Sequence, residues 1–215
     1  MILYFFVLLL SICLAFTPKP LKQISYSNVK KLFNNIYQNP NNHTIEHVIP
    51  QSKLLTMVLK TDMHNLLYYP SKLNIHRSNF KYISDLKIYE NSKLLDDIGN
   101  ELNERNNLIV PSKLSIKTSS KKIFYPPDIY KGQIARASMY FLSTYPDHKD
   151  IIFDQIIDPY TILTWHKLFP VTSFELFKNN IIYEYQLNNN VYILNPENLY
   201  KDMEYFLDKD LGSFI

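Results

Sequence analysis

Apolar residues recur with a helical period near the start of the chain. After Ser27, four apolar residues take the i, i+3, i+4 and i+7 positions of one helix face: Val29, Leu32, Phe33 and Ile36. This pattern predicts an amphipathic helix that ends at the polar residues 39–42. Residues 44–49, closed by Pro50, predict a short strand.

The second half of the chain carries several helix start signals. Asp158 and Asn195 each precede a proline, which predicts a capping side chain followed by the first helical residue. Thr172 and Glu175 have the spacing of a capping box. The helix that follows has four aromatic or aliphatic residues on one face: Phe174, Phe177, Ile181 and Tyr185.

A further helix is predicted after the Pro126-Pro127-Asp128 sequence. Its inward positions are expected to be Ile134, Ala137, Ser138, Phe141 and Leu142. Lys131 and Arg136 are expected to point away from that face. Helices outnumber strands in this pattern, so the predicted fold class is α+β. We expect a mainly helical single domain with a small β-hairpin rather than a large sheet.

Length and composition agree with one domain. The chain has 215 residues, of which 46% are apolar, enough for a packed core. No fixed repeat is visible, and the Ser/Lys-rich residues 117–122 predict a loop. The formal net charge is only +3, but basic residues exceed acidic ones in residues 1–83 and 111–136. Such clustering predicts a positive groove that suits a polyanion.

The first fifteen residues contain no charged side chain and include a long apolar run. This length is typical of a signal peptide and short for a membrane span. The predicted division is therefore a signal peptide at 1–15 and a single domain at 16–215. The only cysteine, Cys13, lies in the signal segment, so the exported domain is expected to fold without disulfides.

Two polar pairs indicate chemistry. Glu46 adjoins His47, and His64 adjoins Asn65 shortly downstream. Carboxylate and amide oxygens ligate hard cations, and a neutral imidazole accepts a proton from water near neutral pH. Phosphodiester hydrolysis needs both. Because neighbours on a regular strand point to opposite faces, Glu46 and His47 share a site only if the strand ends there, as Pro50 makes plausible.

Several neighbouring residues are expected to have structural roles. Asp62 is expected to cap the segment that follows it. His64 is expected to orient the site or pack beneath it, and His76 is expected to be exposed. A zinc cluster is an alternative reading of four histidines, although no cysteine supports it: His43, His47, His64 and His76.

Seven blocks occur in one order along the chain: Glu46–Pro50, Asp62–Leu66, Asn74 with Arg77–Phe80, Pro127–Ala137, Leu163 with Trp165, Glu175–Asn179, and Gln186–Asn190. In this order they resemble the endonuclease I and extracellular ribonuclease family of secreted nucleases, which carry the ββα-metal motif. The resemblance covers most of residues 16–215. It implies a nuclease domain that hydrolyses phosphodiester bonds to a 5′-phosphate and a 3′-hydroxyl.

The resemblance also implies residue roles. His47 would be the general base that activates water, and Glu46 and Asn65 would hold one Mg²⁺, with Mn²⁺ or Ca²⁺ as other candidate cations. Three basic residues match family positions that contact the nucleic-acid backbone or support the fold: Arg77, Lys131 and Arg136. Some members place a transition-state arginine between the base and the metal-binding asparagine, where this chain has only Lys53 and Lys60.

The sequence thus predicts a secreted or periplasmic, Mg²⁺-dependent endonuclease without sequence specificity. DNA is the expected substrate and RNA a further candidate. A monomer is expected, without stable membrane association once the signal is cleaved. One alternative is a catalytically inactive nucleic-acid-binding protein that keeps the nuclease fold. Another is a membrane-tethered lumenal interaction protein with an uncleaved N-terminus.

Overall fold

The computed structural model describes residues 19–20, 22–38, 41–85, 92–102, 111–208 and 211. The predicted signal segment lies outside this part of the chain. The helices of the described residues are α1 Tyr26–Ile36, α2 Met57–Thr61, α3 Ser71–Arg77, α4 Asp128–Thr144, α5 Lys149–Ile151, α6 Pro159–Leu168, α7 Ser173–Gln186, α8 Val191–Leu194 and α9 Asn198–Leu207. Short 3-10 turns occupy Gln51–Lys53, Met63–Asn65, Pro111–Lys113 and Pro146–His148, and a π-helical turn occupies Ile152–Ile156.

The described strands form two small sheets. Their bounds are β1 His43–His47, β2 Leu66–Pro70, β3 Lys81–Tyr82, β4 Ser92–Leu95, β5 Ser115–Thr118 and β6 Ile123–Tyr125. β1 pairs antiparallel with β2, and α3 follows β2 directly. This confirms the α+β class and the expected strand–strand–helix unit. The second sheet, in the order β3-β6-β5-β4, was not predicted.

The Ser/Lys-rich segment shows why that sheet was missed. Lys117 and Thr118 belong to the end of β5, and residues 119–122 form the turn into β6. Lys122 takes a positive φ of 52° in this turn. The segment is therefore partly strand and partly turn. Its polar composition is typical of the turn at the tip of the hairpin and gave no sign of the strand.

Most predicted helix starts are confirmed. The Asp158 carboxylate caps α6 through the Thr161 N–H, as predicted. The Ser25 hydroxyl caps α1 through the Asn28 N–H, a cap that was not predicted. Thr172 and Glu175 form both halves of the capping box of α7. The prediction at Asn195 was wrong. Asn195 ends α8, and a turn separates it from α9, which begins at Asn198.

Helix α7 buries a mainly polar face, and only Phe174 and Ile181 of the predicted apolar stripe pack against the apolar core between α1 and the β1–β2 pair. Its buried residues are Glu175, Lys178, Asn179, Ile182 and Gln186. Phe177 and Tyr185, on the predicted stripe, are 49% and 42% exposed. The physical reason is that each buried polar side chain has hydrogen-bond partners in the interior, so its burial is compensated.

Helix α4 lies at the centre of the protein and is buried on nearly all sides. Every residue from 131 to 144 is buried except Gln133, including the two basic residues that were expected to point elsewhere. α4 packs against α6, α8 and α9 in the main apolar core. A second apolar cluster joins α1 to the β1–β2 pair. The paired strands are thus held between the two cores.

Among the described residues, no helix is both long enough and apolar enough to cross a lipid bilayer.

Candidate active site

A cleft of about 200 Å³ opens where β1 ends. It is lined by Tyr26, Ile45, Glu46, His47, Pro50, Gln51, Asn74, Arg77 and Ser78. His47 is the last residue of β1, and a bend follows at residues 48–49. Because the strand ends there, Glu46 and His47 both line the cleft, which satisfies the geometric condition set by the sequence.

Glu46 is buried between a cation and a phenol. Its Oε1 lies 3.0 Å from NH1 of Arg77 and accepts a hydrogen bond from the Tyr82 hydroxyl at 3.3 Å. Burial raises the pKa of Glu46 to about 7, against the opposing effect of Arg77. The Arg77 charge therefore compensates only part of the cost of burying this carboxylate. A further cation at Glu46 would favour the ionised form.

The backbone fixes the orientation of the His47 ring. Its Nε2 lies 2.9 Å from the Lys60 carbonyl oxygen. A carbonyl only accepts hydrogen bonds, so Nε2 carries the proton and Nδ1 keeps the lone pair. Burial lowers the pKa of His47 to about 4, so the ring is neutral at pH 7. The Gln51 amide nitrogen lies 3.2 Å from Nε2, but as a donor it makes no hydrogen bond to Nε2–H, and the shorter contact with the Lys60 carbonyl sets the tautomer.

The structure does not place Asn65 in the cleft. Its Oδ1 accepts from the Ile49 N–H at 2.8 Å, and its Nδ2 donates to the Ile49 carbonyl at 3.1 Å. Asn65 is fully buried, so its amide ties the segment after β1 to the start of β2. The predicted metal-ligand role is thus not supported by the geometry.

Asn74 takes the cleft position expected of an asparagine ligand. Its Nδ2 donates to the Ile45 carbonyl at 3.1 Å, which fixes the amide plane. Asn74 lines the cleft together with Glu46 and His47. With the nitrogen bound to the backbone, Oδ1 is the amide atom that remains for a cation. Carboxylate and amide oxygens are ligands that hard divalent cations prefer.

Arg77 fixes the backbone at the end of β1 through hydrogen bonds. Its NH2 donates to the Val48 carbonyl at 2.6 Å, and its NH1 donates to the His47 carbonyl at 3.3 Å. NH1 also reaches the carbonyl of Ser78, whose φ of 53° is unusual for a residue other than glycine. Arg77 lines the cleft but is only 1% exposed. It therefore positions Glu46 and the strand end.

The other two basic residues of the prediction, Lys131 and Arg136, are buried, which fits the expected role of supporting the fold and not a direct contact with nucleic acid. Lys131 ion-pairs with Asp128, donates to the Tyr125 hydroxyl at 2.6 Å and is 3% exposed. Arg136 binds both carboxylate oxygens of Glu175 and is 1% exposed. Neither side chain can reach a phosphate backbone, and both stabilise the surroundings of α4.

A buried polar network lies behind the cleft. Asp62 caps the turn at His64 and accepts from the hydroxyls of Tyr140 and Tyr145 at 2.8 and 2.9 Å, which confirms its predicted role as a cap. His64 packs on Tyr140 and lies 3.2 Å from the carbonyl of Asn188. His64 therefore packs beneath the site, as expected.

Two expectations about the histidines fail. His76 is half-buried and not exposed. Within the described ranges, no three His, Cys, Asp or Glu side chains cluster as a metal site, which argues against the four-histidine zinc cluster.

Sequence reasoning missed two residues that line the cleft. Tyr26, the first residue of α1, places its ring 6.1 Å from that of His47 at an interplanar angle of 14°. Gln51 lies in the 3-10 turn that follows β1. Tyr26 comes from a distant helix, so no local motif could have identified it. Gln51 is only four residues from His47, and its side chain could have been considered as a neighbour.

A strand–strand–helix unit that presents a buried carboxylate, an imidazole and an amide in one cleft is the arrangement of an α+β nuclease. The chain belongs to the endonuclease I family, whose sequence pattern matches residues 16–197.

Two relatives show the extent of the similarity. Endonuclease-1 of Buchnera aphidicola subsp. Baizongia pistaciae (strain Bp) is 31% identical over 136 residues, which cover 63% of this chain and 46% of that protein. Endonuclease-1 of Buchnera aphidicola subsp. Acyrthosiphon pisum (strain APS) is 29% identical over 136 residues, covering 63% and 45%. The matched region thus spans a little under half of each relative.

Proposed function

We propose that this protein is a metal-dependent endonuclease that hydrolyses phosphodiester bonds of DNA, with RNA as a second candidate substrate. One observation carries the proposal: Glu46, His47 and Asn74 line a single cleft at the end of β1. Membership of a nuclease family supports the same reaction class. The residues supply the three things that hydrolysis requires, namely oxygen ligands, a neutral base and a fixed geometry.

The residues that would hold a divalent cation are Glu46 and Asn74. The buried Glu46 carboxylate, whose pKa is raised to about 7 despite Arg77, fits an additional positive charge. We propose Mg²⁺, since two oxygen donors from the protein suit a cation that keeps most of its waters. When bound, such an ion neutralises charge on the phosphate and on the leaving oxygen.

His47 would act as the general base through Nδ1. The Lys60 carbonyl holds the proton on Nε2, so Nδ1 is the nitrogen that accepts a proton from water. The same carbonyl stabilises the imidazolium that forms, because its oxygen stays hydrogen-bonded to Nε2–H. Arg77 supports this step indirectly by binding the carbonyl of His47.

Phosphate recognition without base contacts would give low sequence specificity. We further propose that the protein is exported, since the apolar residues 1–15 have the length of a signal core. We also propose that it acts as a monomer.

A catalytically inactive binding protein is the second candidate, and one observation favours it. Arg77 is the only Lys or Arg side chain that lines the described cleft, and it is buried with its NH1 and NH2 bonded to backbone carbonyls. Among the described residues, the cleft lining therefore offers no exposed guanidinium that could stabilise charge on the phosphate. In this case the protein would bind nucleic acid without cutting it.

The test is a cleavage assay on the purified chain with supercoiled plasmid and with structured RNA. Each substrate is incubated with Mg²⁺, with EDTA and with the His47→Ala variant. Metal-dependent cutting that the variant loses would support the proposal. Retardation of uncut DNA by folded protein would favour the inactive binder, and neither cutting nor binding would refute both.

A further inference from the structure

One cross-strand row of the four-stranded sheet starts beside the cleft and ends on the surface. Its members, in register from β3 to β4, are Tyr82, Phe124, Lys117 and Lys93. Directly paired residues point to the same face of a sheet. The Tyr82 hydroxyl donates to Glu46, so the row begins at the carboxylate of the cleft.

Burial decreases along this row. Tyr82 and Phe124 are fully buried, Lys117 is half-buried, and the Lys93 side chain is 49% exposed. Neighbouring strands lie about 4.8 Å apart, so Lys117 and Lys93 are about 10 and 14 Å from the strand of Tyr82. The two lysines therefore emerge at a short, defined distance from the candidate catalytic centre.

The protein surface between the cleft and Lys117 is continuous along the chain. Ser78 lines the cleft, Asn79 is exposed, and the ring of Phe80 lies 5.2 Å from Nζ of Lys117. A ligand that leaves the cleft past the end of α3 would meet Lys117 next. The apolar ring beneath Lys117 supports the ammonium group without neutralising it.

The charges of the row are only weakly compensated. Lys117 and Lys93 stand directly opposite each other, an arrangement that is unfavourable for like charges. Lys93 forms an ion pair with Glu101, but both side chains are about half exposed, and exposed pairs contribute little. Two adjacent ammonium groups whose one ion-pair partner among the described residues is the exposed Glu101 fit an anionic ligand that bridges them.

We propose that Lys117 and Lys93 bind the sugar-phosphate backbone of a nucleic acid whose scissile phosphate lies in the cleft. Because both lysines lie outside the cleft on the far strands of the sheet, they would contact phosphates a few nucleotides away from the cut. This inference rests on the proposed function, because it assigns the binding surface of the same site.

The test uses the full chain with Lys117→Glu and Lys93→Glu, singly and together, and Lys117→Gln in case charge reversal disturbs the sheet. The matched control carries Lys149→Glu and Lys201→Glu, which change the same number of charges outside the cleft and the sheet. Binding of a duplex of about 20 base pairs is measured over a salt series in the His47→Ala background, so that nothing is cut.

The double variant is expected to bind the duplex about tenfold more weakly, and its log–log salt slope should fall by about two, one for each lost phosphate contact. The loss should shrink on a trinucleotide, which is too short to reach the sheet from the cleft. The control should keep the wild-type slope.

Two results overturn the inference. If wild-type protein binds or cuts nucleic acid but the double variant keeps its affinity and slope, the lysine surface is refuted and the proposed function stands. If circular dichroism shows folded wild-type protein that neither binds nor cuts, both fail.

Discussion

Two buried arginine–glutamate pairs in this protein differ in how many carboxylate oxygens the arginine binds. Arg136 donates from Nε and NH2 to both oxygens of Glu175, at 2.8 and 2.7 Å, and from NH1 to the Phe169 carbonyl at 3.0 Å. Arg77 contacts only Oε1 of Glu46, at 3.0 Å, and binds backbone carbonyls through NH1 and NH2, while its buried Nε has no hydrogen-bond partner among the described residues.

The difference separates a scaffold from a site. A bidentate pair satisfies both partners and stabilises the interior, as at α4 and α7. The single contact at Glu46 leaves a carboxylate in the cleft whose burial is not fully compensated, which is why its pKa is raised to about 7. Burial of an incompletely compensated charge is costly, and it is expected where the charge has another ligand.

The largest expected effect tests whether the chemistry belongs to the cleft. His47→Ala should reduce the cleavage rate by about 10²- to 10⁴-fold, the usual contribution of a general base. His43→Ala, at the other end of β1, is the matched control and should cleave normally. Initial rates on plasmid DNA check both. A fully active His47→Ala protein would exclude His47 as the base.

Substitution in the Arg136–Glu175 pair should mainly reduce stability, and substitution in the Arg77–Glu46 pair should mainly reduce cleavage. Arg136→Ala leaves the Glu175 carboxylate buried without its partner and should destabilise the protein by about 3–5 kcal/mol. Glu46→Gln removes the carboxylate partner of the buried Arg77 but keeps the side-chain shape and an oxygen that can accept from it, so the protein should lose less stability, about 1–2 kcal/mol, while cleavage is lost. Urea unfolding and plasmid cleavage of both variants measure the difference. If Arg136→Ala and Glu46→Gln destabilised the protein equally, the two pairs could not be assigned to different roles, one structural and one functional.

The two asparagines provide a smaller and sharper comparison. Asn65→Ala leaves the Ile49 N–H and carbonyl without partners and should cost about 1–3 kcal/mol of stability. Asn74→Ala should instead raise the Mg²⁺ concentration needed for half-maximal cleavage by about tenfold. Unfolding curves and Mg²⁺ titrations of both variants decide the assignment. If Asn65→Ala alone changed the Mg²⁺ requirement, the original ligand prediction would be restored.

The smallest expected effect concerns pH and the scaffold. Burial lowers the pKa of His64 to about 3, whereas a histidine in the unfolded chain titrates near 6.5. The contribution of the neutral, buried His64 to the free energy of unfolding is therefore complete above pH 6.5 and is lost as the pH falls toward 3. Between pH 7 and pH 5 this one group should cost about 2 kcal/mol of stability. His64→Gln should lose correspondingly less over this interval in urea unfolding, and an unchanged pH dependence would contradict the assignment.

Local signals were sufficient for the helix caps and the strand end. Asp158 and Thr172 cap their helices through contacts within three residues, so sequence spacing specifies them. The same holds for the cleft pair, because Glu46 and His47 are neighbours at the end of one strand.

Long-range contacts were beyond such signals. The roles of Asn65 and Asn74 depend on which of them faces β1 from the cleft side, which only the packing of α3 decides. Hydrophobic periodicity failed at α7, where Lys178 and Gln186 are buried because their partners lie more than a hundred residues away. Arg136 was misplaced for a similar reason, since its partner Glu175 is 39 residues along the chain.

The polar face of α7 has a consequence for the order of synthesis. Lys178 donates to the Leu66 carbonyl, 112 residues earlier, and Gln186 accepts from the Met63 N–H, 123 residues earlier. A ribosome therefore finishes the segment that carries the cleft long before it adds the side chains that brace β2. A nascent chain that stops before Lys178 lacks this bracing. The braced form of this segment therefore requires that residues 178–186 have also been synthesised.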